Sequence, residues 1–244
     1  MSFEQERNFA ESLAETPSVL RYSDILKVGT PIADMNYHTL IPSNGGSFSA
    51  NQMVRIPFNI PTDSFANLKG AYIKFKINNA DSSNAVALDP IIGGAAVIDT
   101  FRIVSGTGAL LEEIIHYNAI YSLMNDMVSV SHRESNGNIM EGSAEQPLVD
   151  LAFGGTGNSG LTTSTTRTVI DASGSKTVSI VPMSGFFQCD RLAPLGFATG
   201  TSTIEIVLAQ ENFPLTFNND ASSPNTAWTI SEVELHVPVL RMSA

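Results

Sequence analysis

The chain has 244 residues, 43% of them hydrophobic and only 15% charged, with a formal net charge of −11. That apolar share is enough for a real core, while the acidic balance and the lack of any basic run argue against direct recognition of nucleic-acid phosphates, which depends on clustered Lys and Arg. The only cysteine, Cys189, permits no internal disulfide, and no apolar run reaches the roughly eighteen residues that a membrane-spanning helix needs.

Residues 1 to 50 read as an N-terminal arm, helical and extended in turn, and residues 51 to 244 as a β domain. The first fifteen residues have neither a basic region nor an apolar core, so they do not form a secretory signal. Phe9, Ala10 and Leu13 recur at helical spacing, and Thr16 with Pro17 offers an N-cap and first helical position for a second short helix. Beyond Lys27, the residues Gly29, Pro31, Pro42, Gly45 and Gly46 suggest an extended connector.

From Met53 the period changes to two. In "VRIPFNI" Val54, Ile56, Phe58 and Ile60 share one face, and Pro57, which cannot donate to a ladder, predicts an edge or bulged strand. Ala71, Ile73, Phe75 and Ile77 alternate in the same way in the next strand. Val97 to Val104 and Ala109 to Ile114 read as two strands joined through Ser105-Gly106-Thr107-Gly108. Tyr117, Tyr121, Met124 and Val128 then recur at three- and four-residue spacing, which predicts one helix. "HRESNGNIMEGSAEQ" and the Gly-, Ser- and Thr-rich stretch around 154 to 166 read as loops.

A strand follows from Lys176 to Met183, then a less regular apolar segment, "GFFQCDRLAPLG". In "STIEIVLAQ" Ile204, Ile206 and Leu208 share a face while Val207 and Ala209 make the other apolar, as in a central strand covered on both sides. In "WTISEVELHVPVL" the apolar parity changes between Ile230 and Val233, which predicts a bulge near Ser231 and Glu232. Seven or eight strands with one inserted helix, and no strand-helix repetition, predict an all-β fold. An eight-stranded jelly-roll sandwich fits best, with the first and last strands paired and the Pro57 strand beside the last.

No motif for chemistry withstands its own context. Gly106-Thr107-Gly108 has Leu111 where a dinucleotide fingerprint needs its third glycine, and Glu134 lies beyond the usual place of the ribose-binding acid, in a turn-like run. A hairpin turn is the stronger reading. The histidines His38, His116, His132 and His236 are scattered. Glu232, Glu234 and His236 could share a strand face, but such a trio is ordinarily just the wet face of a strand. Cys189 reads as a buried, inert small hydrophobe despite its neighbours Asp190 and Arg191. "FGGTGNSG" lacks the Gly-Lys-Ser/Thr ending of a P-loop, and no Gly-X-Ser-X-Gly elbow is present. Trp228 reads as a core aromatic rather than a sugar-stacking platform. The expectation is therefore no enzyme, no catalytic residue, no metal and no cofactor.

The order "SFSANQMVRIPFNIP", "LKGAYIKFKINN", "VIDTFRIVSGTGALLEEIIHYNAIYSLMNDM", "FFQCDRLAPLGFATGTSTIEIVLAQ" and "WTISEVELHVPVLRM" resembles virus capsid proteins of the vertical jelly-roll lineage. That lineage holds the double jelly-roll major capsid proteins of tailless DNA viruses and their single jelly-roll relatives. The resemblance covers residues 47 to 242 and implies a structural coat protein of the virion. Such a protein self-assembles as a homo-oligomer, through trimer-like capsomers, into an icosahedral shell. It implies as partners copies of the same chain, other capsid proteins and an internal membrane or inner layer, with no direct nucleic-acid contact. Synthesis in the host cytoplasm is part of the same expectation. One departure matters, since a double jelly roll needs about twice the strands counted here. The arm, through Phe3, Phe9, Leu13, Val19, Leu20, Ile25 and Leu26, is expected to dock on a neighbouring subunit or inner layer, or else back on its own domain. The rival reading is a trimeric, lectin-like or receptor-binding jelly-roll module; a cupin-type enzyme is a remote third.

Overall fold

The computed structural model describes residues 32–62, 64–82, 86–89, 91–127, 137, 139–143, 169–195, 200–211, 215–217 and 227–242. The proposed arm residues Phe3, Phe9, Leu13, Val19, Leu20, Ile25 and Leu26, together with His132, Glu134, Val128 and the loop at 154–166, lie outside the described residues. In chain order the strands begin with β1 (Ile32–Leu40), β2 (Ser47–Ser49), β3 (Met53–Pro57), β4 (Ser64–Ala66), β5 (Tyr72–Asn79), β6 (Val86–Leu88), β7 (Ile98–Val104) and β8 (Leu110–Ile115). The helix α1 (Tyr117–Asp126) follows, then β9 (Val169–Ile170), β10 (Ser175–Ile180), β11 (Thr203–Leu208), β12 (Leu215–Phe217) and β13 (Trp228–Met242).

Two sheets carry the architecture. One runs β1-β13-β5-β10, with β2 and β4 added along β13, and the other runs β3-β11-β7-β8. Four antiparallel pairings define the topology: β1 with β13, β3 with β11, β5 with β10 and β7 with β8. Those are the rungs of one long hairpin, first strand with last and so inward to the tip, rolled up so that alternate rungs fall in different sheets. This is the jelly roll. The alternation read from sequence supplies the core between the sheets: Ile73, Phe75 and Ile77 of β5, Ile204 and Ile206 of β11, and Phe101 and Ile103 of β7 are all buried. A small third sheet, β12-β6-β9, is hydrogen-bonded separately but contributes Val86, Leu88 and Ile170 to the same core.

Several expectations need correcting. The Pro57 strand, β3, is indeed an outer strand, but it pairs with β11 rather than with the last strand. The partner of β13 is β1, in a stretch read as connector. Its signal was missing for a physical reason: β1 is an outer strand, residues 34–37 are all exposed, and Leu40 is buried without an alternating run before it. β11 is central as expected, yet only one face is fully covered, because Thr203, Glu205 and Val207 are half-buried. In α1 Tyr117 and Tyr121 are buried but Met124 is 47% exposed, so the core-facing stripe is narrower than the spacing suggests. The bulge in β13 is present: register shifts between Ser231 and Glu234, and Glu232 takes a left-handed φ of 52°.

Candidate assembly surface

The outer face of each sheet carries ion pairs between neighbouring strands. Across the outer face of the second sheet, Arg55 (β3), Glu205 (β11), Arg102 (β7) and Glu113 (β8) stand in register on four successive strands. Arg55 Nε lies 3.0 Å from Glu205 Oε1 and Arg102 Nε 2.5 Å from Glu113 Oε1, so opposite charges alternate along the row. Cross-strand pairs of this kind are the ordinary stabilising unit of a sheet face. The first sheet has its own set: Lys74 Nζ to Glu234 Oε2 at 3.1 Å, and Lys76 Nζ to Glu232 Oε1 at 3.4 Å. His236 lies 3.0 Å from Glu234 Oε2, and its Nδ1 is 3.2 Å from the Thr39 hydroxyl while its ring stacks on Tyr72 at 4.7 Å. The hydrogen bond from Lys74 holds the Glu234 carboxyl below its ordinary range, with burial opposing and His236 adding to it.

These contacts decide the sequence candidates. Glu234 and His236 do come together, but Glu234 is engaged by Lys74 and Glu232 by Lys76, which makes the trio a set of cross-strand contacts. Among the described residues no group of three or more His, Cys, Asp and Glu is placed to hold a metal ion. His116 sits at a left-handed position between β8 and α1, 3.3 Å from Asp99, and His38 bonds the Asn59 carbonyl. Cys189 is exposed rather than buried, a correction that follows from its place in an irregular segment with no strand alternation to turn it inward. Trp228 is buried as expected, its indole N–H donating to the Glu211 carbonyl at 3.0 Å.

The Gly-Thr-Gly stretch is the tip of the β7–β8 hairpin. Ser105 N–H donates to the Ala109 carbonyl at 2.8 Å and Gly108 N–H to the Ser105 carbonyl at 2.9 Å, which closes a tight turn. No helix N-terminus follows it. Behind the hairpin, Glu112 accepts the backbone N–H groups of Gly185 and Phe186 at 2.8 and 3.0 Å, tying β8 to the segment after β10. Tyr117 accepts the Met183 N–H at 2.9 Å on the same side, and burial pushes the Tyr117 and Tyr121 phenols well above their ordinary range.

Exposed large apolar side chains gather on the outer strands β8 and β1 and along α1, with Tyr37 packed against the Tyr72 ring. On β8 and α1 the side chains of Leu110, Leu111, Ile115, Ile120, Leu123, Met124 and Met127 are 44 to 76% exposed. The last four follow one helical stripe, which runs alongside the buried stripe of Tyr117 and Tyr121. On β1 and just after it, Met35, Tyr37 and Ile41 are 57, 57 and 66% exposed. The helical spacing at residues 120 to 127 could have revealed the first patch in the sequence, since Ile120, Leu123 and Met127 fit a second apolar face. No helix among the described residues is long and apolar enough to cross a membrane.

No family model and no curated protein sequence matches the chain. Solved structures do. A chain in the cryo-EM structure of the Sputnik virophage is 14% identical with a TM-score of 0.52, covering 92% of this chain and 51% of its own. The Faustovirus major capsid protein is 9% identical (TM-score 0.47; 92% of this chain, 57% of that one), and the mavirus major capsid protein 12% (TM-score 0.37; 94% and 50%). This chain thus spans about half the length of the solved chains it matches. At such identity the Sputnik likeness establishes the fold, a jelly roll of the kind found in virus capsids.

Proposed function

We propose that this protein is a structural capsid subunit without catalytic activity. It assembles with copies of itself and with other capsid proteins, through trimer-like capsomers, into an icosahedral shell of the virion. The observation that carries the reading is the rolled long hairpin, shared over 92% of the chain with the Sputnik virophage chain. Its physical support is the surface: cross-strand ion pairs on the outer faces, with exposed leucine, isoleucine and methionine beside them on β1, β8 and α1. A protein covered by its own copies needs such apolar surface.

The net charge of −11 suits a shell that does not grip a genome directly, so the layer beneath it is an internal membrane or an inner protein layer. The residues before β1 act as an arm in this reading, docking on an adjacent subunit or on that inner layer through Phe3, Phe9, Leu13, Val19, Leu20, Ile25 and Leu26. The chain is made in the host cytoplasm. Negative-stain imaging of the purified full chain, at rising protein concentration and salt, should show capsomers going on to sheets or shells. Dispersed particles of one small size under every condition contradict the proposal, and binding in a glycan screen would then favour the recognition-module reading. Removing residues 1 to 30 should abolish growth beyond the capsomer; unchanged assembly would dismiss the arm's role.

A further inference from the structure

The outer edge of β3 is capped by a loop segment rather than by a strand. Among the described residues β3 has one strand partner, β11. On its other side the Ser43 N–H donates to the Arg55 carbonyl at 2.8 Å and Asn44 Nδ2 to the Met53 carbonyl at 2.6 Å, while Asn44 Oδ1 accepts the Arg55 N–H at 2.9 Å. The Asn44 carboxamide thus gives β3 the donor and the acceptor that a neighbouring strand's peptide groups would give. It closes an edge that would otherwise be open to pairing with another chain.

The residue that holds this cap is followed by Gly45, and both are exposed to water. An asparagine before glycine is especially open to spontaneous deamidation, because glycine has no Cβ to crowd its nitrogen or restrict its backbone. We infer that Asn44 is a deamidation site held shut by the fold, and that its conversion to aspartate or isoaspartate uncaps β3. In the reaction the Gly45 amide nitrogen, losing its proton to solvent, bonds to Asn44 Cγ, and the Cγ–Nδ2 bond breaks with release of ammonia. Water then opens the cyclic imide at either carbonyl, so a water is consumed and nothing is oxidised or reduced. The attack requires the carboxamide to turn toward Gly45, and both of its hydrogen bonds to β3 must break first. Once converted, the side chain has no N–H for the Met53 carbonyl and sets a negative oxygen against it. Isoaspartate also adds a methylene to the main chain between Ser43 and Gly45, which pulls the Ser43 N–H away from Arg55. The site is independent of the capsid reading.

Peptide mapping by mass spectrometry tests the lock, on the full chain held at mildly alkaline pH either native or in guanidinium chloride. The native chain should deamidate at Asn44 roughly 30-fold more slowly, since two hydrogen bonds must open before the reactive geometry forms. Equal rates in the two conditions would overturn the lock. Asn44→Asp, at an exposed position where folding should be retained, tests the consequence by hydrogen exchange. Exchange across residues 43–57 should rise roughly 10-fold over wild type while the core strand β5 keeps its protection. Exchange that is unchanged at 43–57, or raised equally in β5, would overturn the local cap.

Discussion

Gly106 and Gly200 meet backbone to backbone where the β7–β8 tip touches the loop before β11. A Cβ on Gly106 would lie 2.2 Å from the Gly200 carbonyl carbon, and one on Gly200 2.7 Å from the Gly106 oxygen, with Gly200 also at φ +81°. Gly106→Ala should therefore cost about 2 kcal/mol or more in urea denaturation, as overpacking does when backbone must shift. Gly108→Ala, at φ +86° but in open space, should cost only about 1 kcal/mol. Equal effects would refute the close approach. The sequence revealed a turn here; it did not reveal the approach, because Gly200 is brought in by the roll of the hairpin. The Glu234 carboxyl gives a second test. Its folded pKa is depressed, chiefly by Lys74, so its stabilisation is present above the unfolded value of about 4.3 and is lost as pH falls through the lower folded value. Lys74→Met should cost about 0.5 kcal/mol above pH 5, with the difference from wild type vanishing in acid. A difference independent of pH would mean that the lysine stem's packing, not its charge, is what counts.

At the scale of elements, β13 shows what a parity change means. Ser231 pairs with Lys76 and Glu234 with Lys74, so Glu232 and Val233 together face Phe75. Deleting Glu232 leaves Val233 opposite Phe75, with Ile230 and Leu235 still inward, and should change stability by no more than about 1 kcal/mol. Deleting His236 instead turns the buried Val237 and Val239 toward the wet face and should prevent folding. Thermal melts of both variants decide this, and equal tolerance would contradict the register. The bulge was legible because apolar residues stand on both sides of it. β1 was not, since an outer strand with residues 34–37 exposed carries no alternation to read. The same holds for the assembly patches: Met124 signalled a core stripe by its spacing, whereas its exposure shows that α1 is apolar on two faces.

At the scale of the molecule, the order of strands and the single helix implied the jelly roll, and its antiparallel rungs account for how it forms. The pairing of β1 rather than β3 with the last strand was the part that spacing could not supply, because both occupy outer positions. The functional account rests on the surface the fold leaves exposed: Arg–Glu and Lys–Glu pairs across the sheets, and leucine, isoleucine and methionine on the outer strands and α1. Buried apolar contacts of that kind weaken on cooling, while screened ion pairs weaken with salt. Assembly should therefore persist in raised salt and loosen in the cold, and salt-induced dissociation would point to electrostatic docking instead. The most direct test of the central claim is the light-scattering mass of the full chain measured across concentration. The account predicts a mass that climbs from single subunits to closed capsomers and then to far larger particles; a mass that stays at 26.1 kDa throughout would contradict it.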